Sequence, residues 1–164
     1  MQMKLKITGF ISVLFFALES FGAVLHFYDH PQVKQPLYHV QLEYQGFMYE
    51  AEPYNGAHKF PVAKLKDKAK IRIEIADELI NTAALKDQLG RKFDYDFIWT
   101  SENTYCSKML GLALGIQPVP MTFAGTHYLD YHPEWISRND PGLSPDHIYE
   151  FGMKHALRVI RRAN

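Results

Sequence analysis

The chain has 164 residues, with 18 Lys plus Arg balancing 18 Asp plus Glu and 47% hydrophobic residues. That length suits one domain, and the apolar share excludes wholesale disorder. Zero formal charge excludes a general nucleic-acid binder, and the single cysteine excludes an internal disulfide framework or a multi-cysteine zinc site.

Lys4 and Lys6 precede a mostly apolar run over residues 7–18, and the small residues Ser20, Gly22 and Ala23 follow. A basic start, a short greasy centre and a small-residue exit describe a secretory signal peptide over residues 1–22, cut after Gly22. The run is shorter than the roughly 20 apolar residues that span a bilayer. No cysteine lies near the exit, so no lipid anchor is expected, and the processed chain keeps no stable hold on a membrane. Residues 23–164 then form one near-neutral domain with 16 basic and 17 acidic residues. It is expected as a monomer, periplasmic or secreted. A lone cysteine in an exported protein raises the question of what its thiol does.

Strands come first. Residues 24–28 form a short apolar strand ending at Asp29-His30-Pro31. Residues 38–44 alternate, with Tyr38, Val40, Leu42 and Tyr44 on one face and His39, Gln41 and Glu43 on the other. Gln45-Gly46 turns the chain, and residues 47–52 return. Residues 69–75 alternate again behind Lys64, Lys66 and Lys68, which reads as a charged edge strand in preference to a patch for an anionic surface. Helices follow over 77–89, stopped by Gly90, and over 103–114, with Asn103 as cap and Gly115 and Pro118 as the end. Residues 116–142 read as loop. Ser144-Pro145-Asp146 starts a last helix that runs to about Arg162, its basic end matched to the negative end of the helix dipole.

Cys106 falls in the first turn of the second helix, near its third residue. Unpaired backbone N–H groups and the positive end of the dipole favour thiolate there. A buried structural cysteine is the competing reading, and position alone leaves both open. A base would decide, and His39 is the candidate. A two-residue turn at Gln45-Gly46 pairs Tyr44 with Phe47, Gln41 with Glu50 and His39 with Glu52, so Glu50 and Glu52 share the face of His39. A carboxylate beside an imidazole fixes its tautomer and supports its protonated form. Pattern alone favours a solvent-exposed polar face carrying a surface histidine.

His39-Val40 heading a strand, Tyr49-Glu50-Ala51 closing the next, Phe93-Asp94-Tyr95-Asp96-Phe97, Tyr105-Cys106-Ser107 and the late Leu143-Ser144-Pro145-Asp146 resemble the permuted papain-like amidases of the NlpC superfamily, the YiiX/YebB-like group. The resemblance implies an α+β permuted papain-like fold, in which an antiparallel sheet carrying the histidine packs against a helix carrying the cysteine. It makes Cys106 the nucleophile, His39 the general base and Glu50 the orienting partner, where hairpin geometry alone selects Glu52. Lys108 stands where the group often has glutamate, and the first strand lacks a Gly-Asp signature.

The implied reaction is acyl transfer to water through a thioacyl-enzyme. The Cys106 N–H serves as oxyanion donor, Tyr105 or a neighbouring tyrosine as a second, and residues 127–135 either roof the cleft or pack as a structural loop. Compartment and analogy point to an amide in cell-wall peptide. The same site on a lipid acyl group, as hydrolase or acyltransferase, is the alternative. Beyond these stand a non-catalytic module and a metal-binding one, since the chain has eight histidines, with His26 and His30 four apart and His127 and His132 five apart. No His-Glu-x-x-His occurs, and neither cofactor nor metal is implied.

Overall fold

The computed structural model describes residues 22–29, 37–66 and 68–162. The expected leader lies outside the described residues except for Gly22, as does His30. The first alternating segment is β1, Ala23–Tyr28, and it pairs antiparallel with β2, His39–Tyr44, Tyr28 lying opposite His39. Gln45 and Gly46 take φ of 50° and 78°. Two left-handed residues make the tight turn whose twist suits a hairpin. β3, Phe47–Glu52, therefore returns in the expected register, with Tyr44 opposite Phe47 and Leu42 opposite Tyr49.

The next strand was not foreseen. β4, Gly56–Pro61, pairs with β3 after a three-residue loop and places His58 opposite Glu50. Gly56 has φ 65°, and a Cβ there would sit 2.3 Å from the Arg91 carbonyl oxygen, so the loop requires glycine. β5, Ile71–Ile75, pairs with β1 on one side. Its other side is taken by β8, Arg158–Arg161. The sheet order is β4-β3-β2-β1-β5-β8, so β5 is interior and the expectation of a charged edge strand is corrected. The same pairing corrects the last helix. α3 spans Pro145–Lys154, not 145–162, because Val159 and Ile160 suit a strand and β5 offers them an open ladder.

Among the described residues there are two other α-helices. α1, Thr82–Gln88, is shorter than expected. Residues 77–79 form a separate 3₁₀ turn, and Asn81 caps α1 by accepting from the Ala84 N–H at 3.0 Å. α2, Cys106–Leu114, starts later than expected, since Thr104 is held extended by backbone bonds to Lys92 and Asp94. Tyr105, not Asn103, is its cap, and Cys106 is its first residue. Two short strands, β6, Val119–Pro120, and β7, Pro141–Gly142, pair to close the segment between them.

One face of the sheet presents Leu25, Phe27, Val40, Leu42, Ile73 and Ile75, all fully buried, to Leu85 of α1, Met109 and Leu110 of α2, and Ile148 of α3. Each such side chain contributes about 1.5–3 kcal/mol through burial. That core seats α2 on β2 and β3. It thereby brings the start of α2 to the start of β2.

Candidate active site

Cys106 is the first residue of α2, where backbone N–H groups have no carbonyl one turn earlier. Its sulfur hydrogen-bonds to the His39 side chain and to the backbone N–H groups of Val40 and Ser107. Burial pushes the thiol up, but the hydrogen bond and charge of His39, with those two N–H groups, hold it below its ordinary value of 9.0. Burial likewise works to lower the pKa of His39. Hydrogen bonds and attraction from Cys106 and Glu50 outweigh it and raise the imidazole to about 10. Both directions favour the same charge state, a thiolate beside an imidazolium.

Glu50 stands behind His39. Its Oε2 lies 3.1 Å from His39 Nε2 and accepts from Gln41 Nε2, while Tyr28 donates to Gln41 Oε1 at 2.6 Å. With Nε2 committed to Glu50, Nδ1 is the nitrogen left for the sulfur. Burial raises the Glu50 carboxyl, yet the bonds from His39 and Gln41 and the charges of His39 and His58 keep it below the ordinary carboxylate value. The face that pattern alone reads as solvent-exposed is closed, with Gln41 and Glu50 each 8% exposed. Glu52, the residue that hairpin geometry selected, bonds to Asn55 instead. His58 Nε2 reaches Glu50 Oε1 at 3.3 Å and was not among the expected site residues. The pairing that puts His58 opposite Glu50 comes from a three-residue loop at 53–55, a register that the Asn55-Gly56 pair read as a two-residue turn would not give.

Tyr105 does not serve as an oxyanion donor. Its side chain is fully buried, packs edge-on against Phe97, and its hydroxyl accepts the Leu143 N–H at 3.4 Å. Tyr38 and Tyr128 line the cleft instead. Burial raises the pKa of both, and the nearby Cys106 charge adds to it, so both hydroxyls keep their protons. Lys108 points into the protein. Its ammonium donates to the carbonyls of Ile98, Ser101 and Asn103 at 3.2, 2.7 and 2.7 Å and ties the preceding loop to α2.

A cavity of about 330 Å³ opens over the sulfur. Phe93, Phe97, Phe123, Tyr128 and Trp135 form much of its wall, and Cys106 and His39 line it too. The segment expected as roof or structural loop is both. Trp135 packs with Met121 and Phe123 in a small second core, and Tyr128, His132 and Trp135 also face the cavity. Asp146 is the one Asp, Glu, Lys or Arg among the lining residues.

These features define an α+β protein with a six-stranded antiparallel sheet, the thiol on a helix and the imidazole on an earlier strand. A solved structure shares it: the crystal structure of metalloprotein YiiX from Escherichia coli O157:H7 superimposes with a TM-score of 0.51 at 14% identity, covering 87% of this chain and 96% of that one. No protein-family model matches the chain, and no curated protein does. The likeness is one of fold.

Proposed function

We propose that the chain is an exported thiol hydrolase that cleaves an amide or ester through a Cys106 thioacyl intermediate. The observation that carries this reading is the hydrogen-bonded row of Cys106, His39 and Glu50, whose first two members line a largely apolar cleft. The Cys106 thiolate attacks the carbonyl carbon, and the charge that develops on oxygen meets the N–H of Cys106 at the start of α2, with Tyr38 or Tyr128 as the second donor. His39 then passes its proton to the leaving amine or alcohol. It next takes one from water, which attacks the thioester and frees the acid and the thiol. Export rests on the signal-peptide pattern of residues 1–22.

The wall of the cleft bears on the substrate. A murein peptide presents carboxylates and amines, yet among the described residues no Lys or Arg lines the cavity to receive a carboxylate. An aromatic wall suits an apolar acyl group, and about 330 Å³ holds roughly ten groups of methylene or water size at about 30 Å³ each. This favours a lipid-like acyl ester or amide over cell-wall peptide. YiiX is titled a metalloprotein. Among the described residues here, no three His, Cys, Asp or Glu side chains converge on a point that could hold a metal. No step is routed through one.

Purified wild type, Cys106→Ala and His39→Ala incubated with acyl lipids and with murein fragments test the reading. Release of free fatty acid by wild type alone supports it. Turnover that persists in Cys106→Ala refutes the mechanism, and cleavage of murein peptide without attack on lipid refutes the substrate class.

A further inference from the structure

The interior place of β5 takes from Lys66 and Lys68 the role that sequence pattern gave them, since a charged run before an interior strand guards no edge. The run comes to rest beside the end of β8. Ile71 lies opposite Arg161, and the Arg162 N–H donates to the Lys70 carbonyl at 2.9 Å. Residues 66–70 and 161–162 hold five basic residues and one acidic, Asp67, in a chain of zero net charge. Lys66, Lys68, Arg161 and Arg162 are exposed, and Lys70 pairs with Asp29 at 3.0 Å.

Strand register puts this cluster at the end of the sheet that carries the proposed site. Ile71 pairs with Phe27, and the next residue, Tyr28, pairs with His39. Across the order β2-β1-β5-β8, strands about 4.8 Å apart set the cluster about 14 Å from His39. On the other side of His39, β3 and β4 meet at the same end, and Tyr54 in the loop between them is 93% exposed. Tyr95, also exposed, donates to the Pro53 carbonyl of that loop at 2.9 Å and lines the cavity, as does the exposed Tyr131. Cations, exposed tyrosines and the cavity thus share one end of the sheet.

An anionic lipid surface attracts basic residues that come within a Debye length of it. Tyrosine rings settle at the level of the headgroups, the ring on the apolar side and the hydroxyl in water. We propose that this end of the sheet docks on an anionic lipid surface, with the basic cluster on the headgroups and the tyrosines at the rim of the cavity. Docked so, the cavity opens onto the layer that holds the acyl chain of the substrate. Cations and rings give a reversible hold, not an anchor. The inference rests on the lipid-like reading of the cleft and adds the surface from which that substrate is taken.

Sedimentation of the full chain with vesicles of ether-linked phosphatidylglycerol or phosphatidylcholine, which a hydrolase cannot cleave, tests it. Wild type is expected to bind the phosphatidylglycerol vesicles and to leave them as salt rises. Lys68→Gln with Arg162→Gln is expected to bind about 25-fold more weakly, each basic residue near such a surface being worth roughly fivefold. Lys64→Gln with Lys154→Gln removes the same charge at the opposite end of the sheet, where Val62 meets Gly46 and Arg158 pairs with Glu74, and is expected to bind as wild type does. The N-terminus is the same in all three, so any hold by the leader is common to them. Equal weakening in the two variants, weakening in neither, or wild-type binding as tight to phosphatidylcholine overturns the inference. A tighter hold on duplex DNA than on the vesicles overturns lipid as the occupant. Cleavage of a soluble short-chain nitrophenyl ester reads the site without a surface. A chain that cleaves the ester but ignores the vesicles loses only the docking, whereas one that binds them through the cluster and cleaves no ester keeps the docking and loses the hydrolase.

Discussion

Replacing Glu50 with glutamine keeps the size of the side chain and removes its charge. Glu50 Oε2 and His39 Nε2 are 3.1 Å apart, with side chains 11% and 21% exposed, so solvent screens the pair little. A hydrogen bond to a charged group is worth about 1.5–3 kcal/mol, which corresponds to about one to two pK units on His39. Taking an anion from beside a cation makes the proton easier to lose. The imidazole, raised to about 10 in the native protein, is therefore expected near 8–9 in Glu50→Gln by that same estimate of one to two units. It stays above its ordinary 6.5 because the Cys106 thiolate still supports it. The His39 ring resonance followed by NMR against pH reads this directly, and Glu52→Gln, whose side chain bonds Asn55, is expected to leave it in place. A His39 titration unchanged in Glu50→Gln, or moved by Glu52→Gln instead, refutes the assignment of the orienting carboxylate.

The thiolate–imidazolium pair also sets a stability profile. His39, with its pKa raised, contributes stability below 6.5 and loses it as pH climbs towards about 10; Cys106, with its pKa lowered, contributes above 9.0 and loses it as pH falls. Above pH 9.0 only His39 still changes, so the contribution is expected to decline from there towards pH 10, checked by urea unfolding of wild type against Cys106→Ser; a difference that keeps growing past pH 10 contradicts it. Lys108→Met leaves three carbonyls without their donor and is expected to cost about 3 kcal/mol, read by the same unfolding experiment. Gly56→Ala forces a left-handed residue against the Arg91 carbonyl and is expected to cost about 2 kcal/mol or more. With nitrophenyl esters of increasing chain length, each added methylene is expected to raise kcat/KM about fourfold until the cleft is full. A flat series points away from an apolar acyl group and leaves the thiol chemistry standing.

How much of this was legible depended on how local the signal was. The β2–β3 hairpin could be read to the residue, because alternation and a Gln-Gly turn fix register within a few positions. Its register put Glu50 and Glu52 on the His39 face, but not which of them turns to the imidazole. That choice follows from Asn55, which bonds Glu52, and from β4, whose register is set by a three-residue loop that no turn signal specifies. The start of α2 was placed too early because Asn103 is a good cap by type, while the bonds that keep Thr104 extended come from residues 92–94, distant in the helical pattern. The last helix was extended too far for a similar reason: Val159 and Ile160 sit at a spacing a helix tolerates, and only the open edge of β5 decides for strand. Lys108 looked like a departure from a family motif. Its reason, three carbonyls turned inward by a loop, belongs to tertiary structure.

The central claim is that Cys106 is held as a thiolate by His39, and the ultraviolet absorbance of the thiolate against pH, with Cys106→Ala as the blank, measures it directly. The account predicts that the signal in wild type rises well below the ordinary thiol value of 9.0, and that His39→Ala moves the rise back towards that value. A wild-type thiolate that forms only near 9.0, or a midpoint indifferent to His39, would contradict it.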